Sequence, residues 1–152
     1  MNGAWSRFRS LSRADQALVI EAATLLVFVR LGTVLLSFSA LRRALEGYVR
    51  LAPRLDRDSS RARVDRVAWA VSAVARRRPV RTTCLVESLA VDAMLRRRGY
   101  ACALRVGVRP PCERTLAAHA WVEHQGAVVF GATEDLAEYS VLSARAHDDE
   151  HR

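Results

Sequence analysis

The sequence predicts an α+β fold, with helices first and then one helix packed on a small antiparallel sheet. Three observations carry that expectation. Apolar residues recur at three- and four-residue spacing through the first half of the chain. The period changes to two after Gly99. Between these regions, Thr82 and Thr83 stand as helix-capping residues directly before a run of helical spacing that begins at Cys84. The 152 residues fit one compact domain, and a hydrophobic share of 51% supplies apolar material for one core.

The stretch from Ala17 to Leu41 is the most apolar part of the chain. It is long enough for a membrane span, but Glu21 and Arg30 interrupt it, and a charge at mid-helix costs about 2.5–3.5 kcal/mol in lipid even on insertion scales. Gly32 divides it, which predicts two helices, Arg13–Arg30 and Thr33–Tyr48, whose apolar faces pack on the rest of the domain. Leu51–Ser60, with a proline, alternating charges and paired serines, predicts a loop. A third helix follows over Ser60–Arg77, where Val64, Val67, Ala68, Val71 and Val74 make one apolar stripe. Arg76, Arg77 and Arg78 suit its negative end, and Pro79 stops it.

The segment CLVESLAVDAMLRRRGY predicts a helix from Cys84 to Arg98. Leu85, Leu89, Met94 and Leu95 face inward, Glu87 lies in the first turn, Arg96–Arg98 complement the last, and Gly99 ends it. Ala101–Val108 then reads as a strand, and Arg109–Thr115, with Pro110 and Pro111, as a loop. Ala117–Glu123 and Ala127–Phe130 form a hairpin turning at Gln125-Gly126, and Ser140–Leu142 adds a short last strand. The expected organisation is an N-terminal helical region at 1–78, a catalytic core at 79–145 and a charged, frayed tail at 146–152, all in one compact domain.

The net formal charge is +8, and all 24 basic residues are arginines. Such a surface favours acidic peptides, phosphate-rich polymers or anionic membranes. The arginines close helices instead of lining one face together with aromatics, which argues against a nucleic-acid interface. Cys84, Cys102 and Cys112 have neither metal-ligand spacing nor the even number of a disulfide set, and the N-terminal apolar stretch lacks a small-residue cleavage site. The expectation is a reduced, cytoplasmic protein with free thiols, no metal and no cofactor, and no membrane contact.

A nucleophilic cysteine works as the thiolate, and the exposed amides and positive end of a helix start stabilise that form. Cys84 has this setting; Cys102 lies in a strand among apolar residues, and Cys112 in a proline loop. The same amides can hold an oxyanion. The general base must be near in space, not in sequence. His119, in AAHAWVEH, sits on a strand between small alanines, on the same face as Trp121 and Glu123 and opposite Ala118, Ala120 and Val122. His124 at the hairpin turn, and His147 and His151 in the tail, read as solvated.

The pattern TTCLVESLAVDAMLRRRGY, then ALRVGV, then AHAWVE and a short second strand, resembles the transglutaminase-like cysteine proteases. More narrowly, it resembles the stand-alone leader peptidases of lasso-peptide biosynthesis, the microcin-processing family. The resemblance covers 79–142 and implies a papain/transglutaminase-like core. It implies that Cys84 attacks the bond joining leader to core peptide and that His119 is the base. It also implies three partners: a ribosomal precursor peptide, a separate protein that recognises its leader, and an ATP-using lasso cyclase that closes the ring.

Families of this kind place an aspartate on the strand after the histidine strand. Here a turn at Gln125-Gly126 sets Gly131 and Ala132 opposite His119, and neither has a side chain that orients an imidazole. The nearest carboxylates are Glu134 and Asp135; a bulge would bring back Asp135, the expected third catalytic residue, with Glu134 as the other candidate. Two further readings keep other classes open. One is an acyltransferase on the same fold whose thioacyl intermediate is resolved by an amine. The other is a non-catalytic peptide- or membrane-binding adaptor using the N-terminal helices and the clusters Arg42-Arg43, Arg76–Arg78 and Arg96–Arg98. Apolar surface left exposed on the N-terminal helices is the expected dock for the recognition partner.

Overall fold

A computed structural model describes residues 8–51, 60–77, 82–109 and 117–144. Four helices, α1 (Arg13–Leu35), α2 (Phe38–Leu51), α3 (Arg61–Ala75) and α4 (Cys84–Arg97), precede the strands β1 (Cys102–Arg109), β2 (Ala117–His124), β3 (Ala127–Phe130) and β4 (Ser140–Ala144), with a short 3-10 turn at Leu136–Glu138. The fold is α+β, as the change of period predicts. Cys112, Pro79, Arg78, the Pro110-Pro111 loop, His147, His151 and the tail at 146–152 lie outside the described residues.

α1 begins at Ser12, whose Oγ accepts the amide of Asp15 at 3.1 Å. It does not stop before Gly32, as the sequence suggested, but runs through to Leu35. The glycine serves a close contact instead: a Cβ on Gly32 would lie 2.5 Å from Leu41 Cδ1. Its absence lets α2 close against α1 and bury Leu41 completely. Burying a leucine stabilises by about 1.5–3 kcal/mol, against roughly 1 kcal/mol for glycine in a helix, so contact wins over the helix break. The chain turns one step later, where Ser37 Oγ accepts the Ala40 amide at 3.3 Å.

The three arginines ending α4 do more than meet its dipole. Arg96 forms two bonds to the Glu46 carboxylate, at 2.7 and 2.8 Å. Arg97 and Arg98 both reach Glu21, and the Tyr48 hydroxyl donates to the same carboxylate while the Arg97 guanidinium lies over its ring. Glu21, Tyr48 and Glu46 belong to α1 and α2, so these ion pairs rivet the N-terminal helices to α4. One hydrophobic core runs through the same region, with Leu26, Leu41, Val64, Met94 and Leu95 fully buried and Val122 joining from the sheet.

The sheet order is β3-β2-β1-β4, and every pairing is antiparallel. β4 therefore sits at the edge opposite β3, and the connection from Gly131 to Tyr139 crosses the sheet. Gly107 pairs with His119 across β1 and β2. A Cβ on Gly107 would lie 3.0 Å from both the Trp121 ring and Tyr139 Cβ, so this glycine lets the crossing segment lie flat over the strands. His124 corrects its expected solvated place. It is buried, with Nδ1 2.6 Å from the Ala101 carbonyl and its ring edge-on to Tyr100. The cause is the tight turn at Gln125 and Gly126, both at positive φ, which keeps His124 inside the ladder opposite Ala127 and Cys102.

Candidate active site

Cys84 is the first residue of α4, as its capping threonines predict. Thr83 accepts the Val86 amide through Oγ1 at 3.4 Å, and the Thr82 hydroxyl bonds Glu87 at 2.5 Å. Thr83 holds one of the orphan amides of the first turn, so those of Cys84 and Leu85 have no intrahelical acceptor and face the helix's open end. Cys84 is partly exposed. Cys102 is the opposite case. Burial pushes its thiol well above the ordinary range, and the Asp92 carboxylate, 3.4 Å from its sulfur, adds to the effect. Of the two described cysteines, only Cys84 has the setting of a nucleophile.

His119 lies on β2 with its ring on the Trp121 and Glu123 face, as alternation predicts, while Ala120 and Val122 are buried on the other side. Trp121 stacks beside the imidazole with centroids 6.3 Å apart, and Tyr139 from the crossing segment lies 5.6 Å away. Trp121 is fixed in turn. Its indole donates to Glu123 at 2.8 Å, and Arg105 donates to the second oxygen of that carboxylate at 3.0 Å. Burial opposes the charge on Glu123, but these two donors hold the carboxyl below its usual range. The histidine thus stands in an aromatic slot backed by an ion pair.

The oxygen that orients His119 is not a side chain. Nε2 lies 2.7 Å from the carbonyl of Gly131. A carbonyl only accepts, so Nε2 carries the hydrogen and Nδ1 keeps the lone pair of the neutral ring. Gly131 has φ +78°, and a Cβ there would sit 2.8 Å from the Ala120 carbonyl oxygen, so only glycine brings its carbonyl to this place. Asp135, expected as the orienting acid, is engaged elsewhere. Arg109 binds it at 2.9 Å and Glu138 at 3.0 Å, on the exposed side of the 3-10 turn. A bulge does interrupt the β2–β3 ladder at Val122/Glu123, but it brings the Gly131 backbone to the ring, not the Asp135 carboxylate. Glu134 is exposed and likewise has no bond to His119 among the described residues.

Ser88 links the two halves of the site. It is fully buried one turn after Cys84, and its hydroxyl donates to the Ala120 carbonyl at 2.9 Å. This bond ties the helix that begins at Cys84 to the strand that carries His119. β3 pairs only with Val122–His124, so among the described residues no strand ladder continues along β2 to His119 on that side. Among the described residues the Cys84 thiol and the imidazole are not hydrogen-bonded to each other. Sequence reasoning missed Ser88, Tyr139 and the Gly131 carbonyl. The glycine right after the AVVF strand was the available signal for the last of these.

Among the described residues the arrangement offers a thiol at a helix start, first-turn amides with no intrahelical acceptor, and an imidazole oriented through Nε2, groups of the kind that acyl transfer through a thioester uses. The sequence pattern of the transglutaminase-like superfamily matches residues 25–144, while neither the curated proteins nor the solved structures give a match. The matched span takes in Cys84, His119, all four described strands, α2, α3 and the second half of α1, and the chain belongs to the transglutaminase-like superfamily, whose fold serves cysteine peptidases and acyltransferases.

Proposed function

We propose that this protein is a cysteine peptidase that removes the leader from a ribosomally made lasso-peptide precursor. It acts in the cytoplasm with a separate leader-recognition protein, ahead of an ATP-using cyclase. The observation that carries the catalytic part is the bond from His119 Nε2 to the Gly131 carbonyl, which leaves Nδ1 as the base. The narrower substrate assignment rests on the resemblance of the Cys84 helix and the AHAWVE strand to leader peptidases.

In this mechanism Nδ1 of His119 takes the proton of the Cys84 thiol, and the thiolate attacks the carbonyl carbon of the scissile peptide. The amides of Cys84 and Leu85 hold the oxyanion. As the C–N bond breaks, Nδ1–H protonates the departing amine and leaves a thioester on Cys84. Water then gives a proton to Nδ1 and attacks the thioester, releasing the carboxylate of the leader and the thiol. The thiol and imidazole close on one another when substrate binds, since catalytic hydrogen bonds often tighten only in the substrate complex.

The test is incubation of the precursor peptide with the purified protein and its recognition partner, read by mass, beside Cys84→Ala and His119→Ala. Release of intact leader by the wild type alone supports the peptidase. Unchanged masses with all three proteins sink it, and a leader joined to an added amine would point to acyl transfer instead.

A further inference from the structure

We propose that the outward face of α1 docks this protein on an anionic membrane surface. The face is one continuous stripe. Ile20, Val27, Phe28, Leu31, Val34 and Leu35 recur at helical spacing and all are exposed, Leu31 to 55% and Leu35 to 74%. Leu36 and Phe38, also exposed, extend it into the start of α2.

The polar groups around the stripe identify the occupant. The one hydroxyl on it, Thr24, donates to the carbonyl of Ile20 at 3.0 Å. Burying Thr24 against an acyl layer would therefore strand no hydroxyl. Both carboxylates of α1 are withdrawn, Asp15 to Arg66 and Glu21 to Arg97 and Arg98. The exposed charges of α1 itself are Arg13 at the N-terminal end of the stripe and Arg30 at its flank. An apolar stripe rimmed by arginine matches the acyl boundary and headgroups of an anionic leaflet.

The helix lies along that surface and does not cross it. Its other stripe, Ala22, Leu25, Leu26 and Val29, is buried in this chain's own core, and Glu21 is locked to α4. The recognition protein would then dock elsewhere. This inference does not depend on the peptidase reading.

The test is flotation of the full chain with phosphatidylcholine vesicles, with and without phosphatidylglycerol, at low and high salt. The expected result is co-flotation with the phosphatidylglycerol vesicles that weakens with salt, and loss by about tenfold or more in the double substitution Leu31→Glu and Leu35→Glu. Both side chains point outward, so the variant keeps its helical circular dichroism, and Arg13→Glu with Arg30→Glu gives a second, milder loss. No flotation with anionic vesicles overturns the proposal, as does flotation indifferent to these substitutions. So does a stable dimer or a recognition-protein complex that the Leu31/Leu35 variant abolishes while vesicles are ignored.

Discussion

His119 donates through Nε2 to the backbone carbonyl of Gly131 at 2.7 Å, so a main-chain atom does the work usually given to a carboxylate. Removing the side chain of Asp135 should therefore matter little. Asp135→Asn is expected to keep precursor cleavage within about twofold, where loss of an orienting acid typically costs about 10⁴ in kcat. A drop of that larger size would restore Asp135 to the site.

Gly131→Ala should do what Asp135→Asn does not. The new Cβ meets the Ala120 carbonyl at 2.8 Å, on a residue at φ +78°. Strain at positive φ costs about 1–2 kcal/mol by itself, and the carbonyl must shift to relieve the contact. Cleavage should fall about tenfold or more, a barrier change of roughly 1.4 kcal/mol, alongside a modest fall in Tm. Wild-type turnover in this variant would remove the carbonyl from the mechanism.

Ser88→Ala removes the hydroxyl that ties α4 to the Ala120 carbonyl. A buried acceptor that loses its donor costs about 1–3 kcal/mol. Thermal unfolding should report that loss, and cleavage should fall further than stability explains, because the bond also ties the helix that carries Cys84 to the strand that carries His119. Ser88→Thr, which keeps the hydroxyl, should recover part of both; equal losses in the two variants would mean that packing alone is at stake.

These residues show where the sequence was legible. Cys84 at a helix start and His119 on a strand were readable because capping threonines and two-residue alternation are local signals. The helix end at Gly32 was misread because a glycine signals a stop and a close contact with the same letter, and only Leu41, nine residues on, distinguishes them. His124 was misread for a related reason, since a tight turn at positive φ leaves its neighbour in the ladder. The Gly131 carbonyl had no side chain to advertise it. Which oxygen meets His119 depends on the bulge at Val122/Glu123, a register property that sequence does not print.

The two described thiols should separate in reactivity. Burial and the neighbouring Asp92 keep Cys102 protonated, and burial raises Asp92 as well. Alkylation by iodoacetamide near neutral pH, followed by peptide mass mapping, should label Cys84 about tenfold or more faster than Cys102. Labelling of the pair at equal rates would deny Cys84 a nucleophile's environment. In urea the difference should vanish, because Cys102 then loses both burial and Asp92.

The ion pairs between α1, α2 and α4 should give stability a window with two edges. Burial works against the charge on Glu21, but Arg98, Tyr48 and Arg97 hold its carboxyl below the usual range. A depressed carboxylate contributes stability that is complete above its unfolded value and lost as pH falls through its folded one. Tyr48 runs the other way. Burial, and then the Glu21 carboxylate that accepts its proton, push the phenol up to about 12. Its contribution is complete below the unfolded tyrosine value and fades as pH climbs towards the folded one. Urea unfolding of the wild type should thus weaken below about pH 4 and again above about pH 10, with a plateau between. Glu21→Gln should lower the plateau by about 2 kcal/mol, less than the 3–5 typical of a fully buried pair because Glu21 keeps some solvent. It should also flatten the acid edge, since the variant has no carboxylate there to protonate. An acid edge unchanged in Glu21→Gln would show that another carboxylate sets it, with Glu46, held below its usual range mainly by its hydrogen bond to Arg96, as the next to substitute.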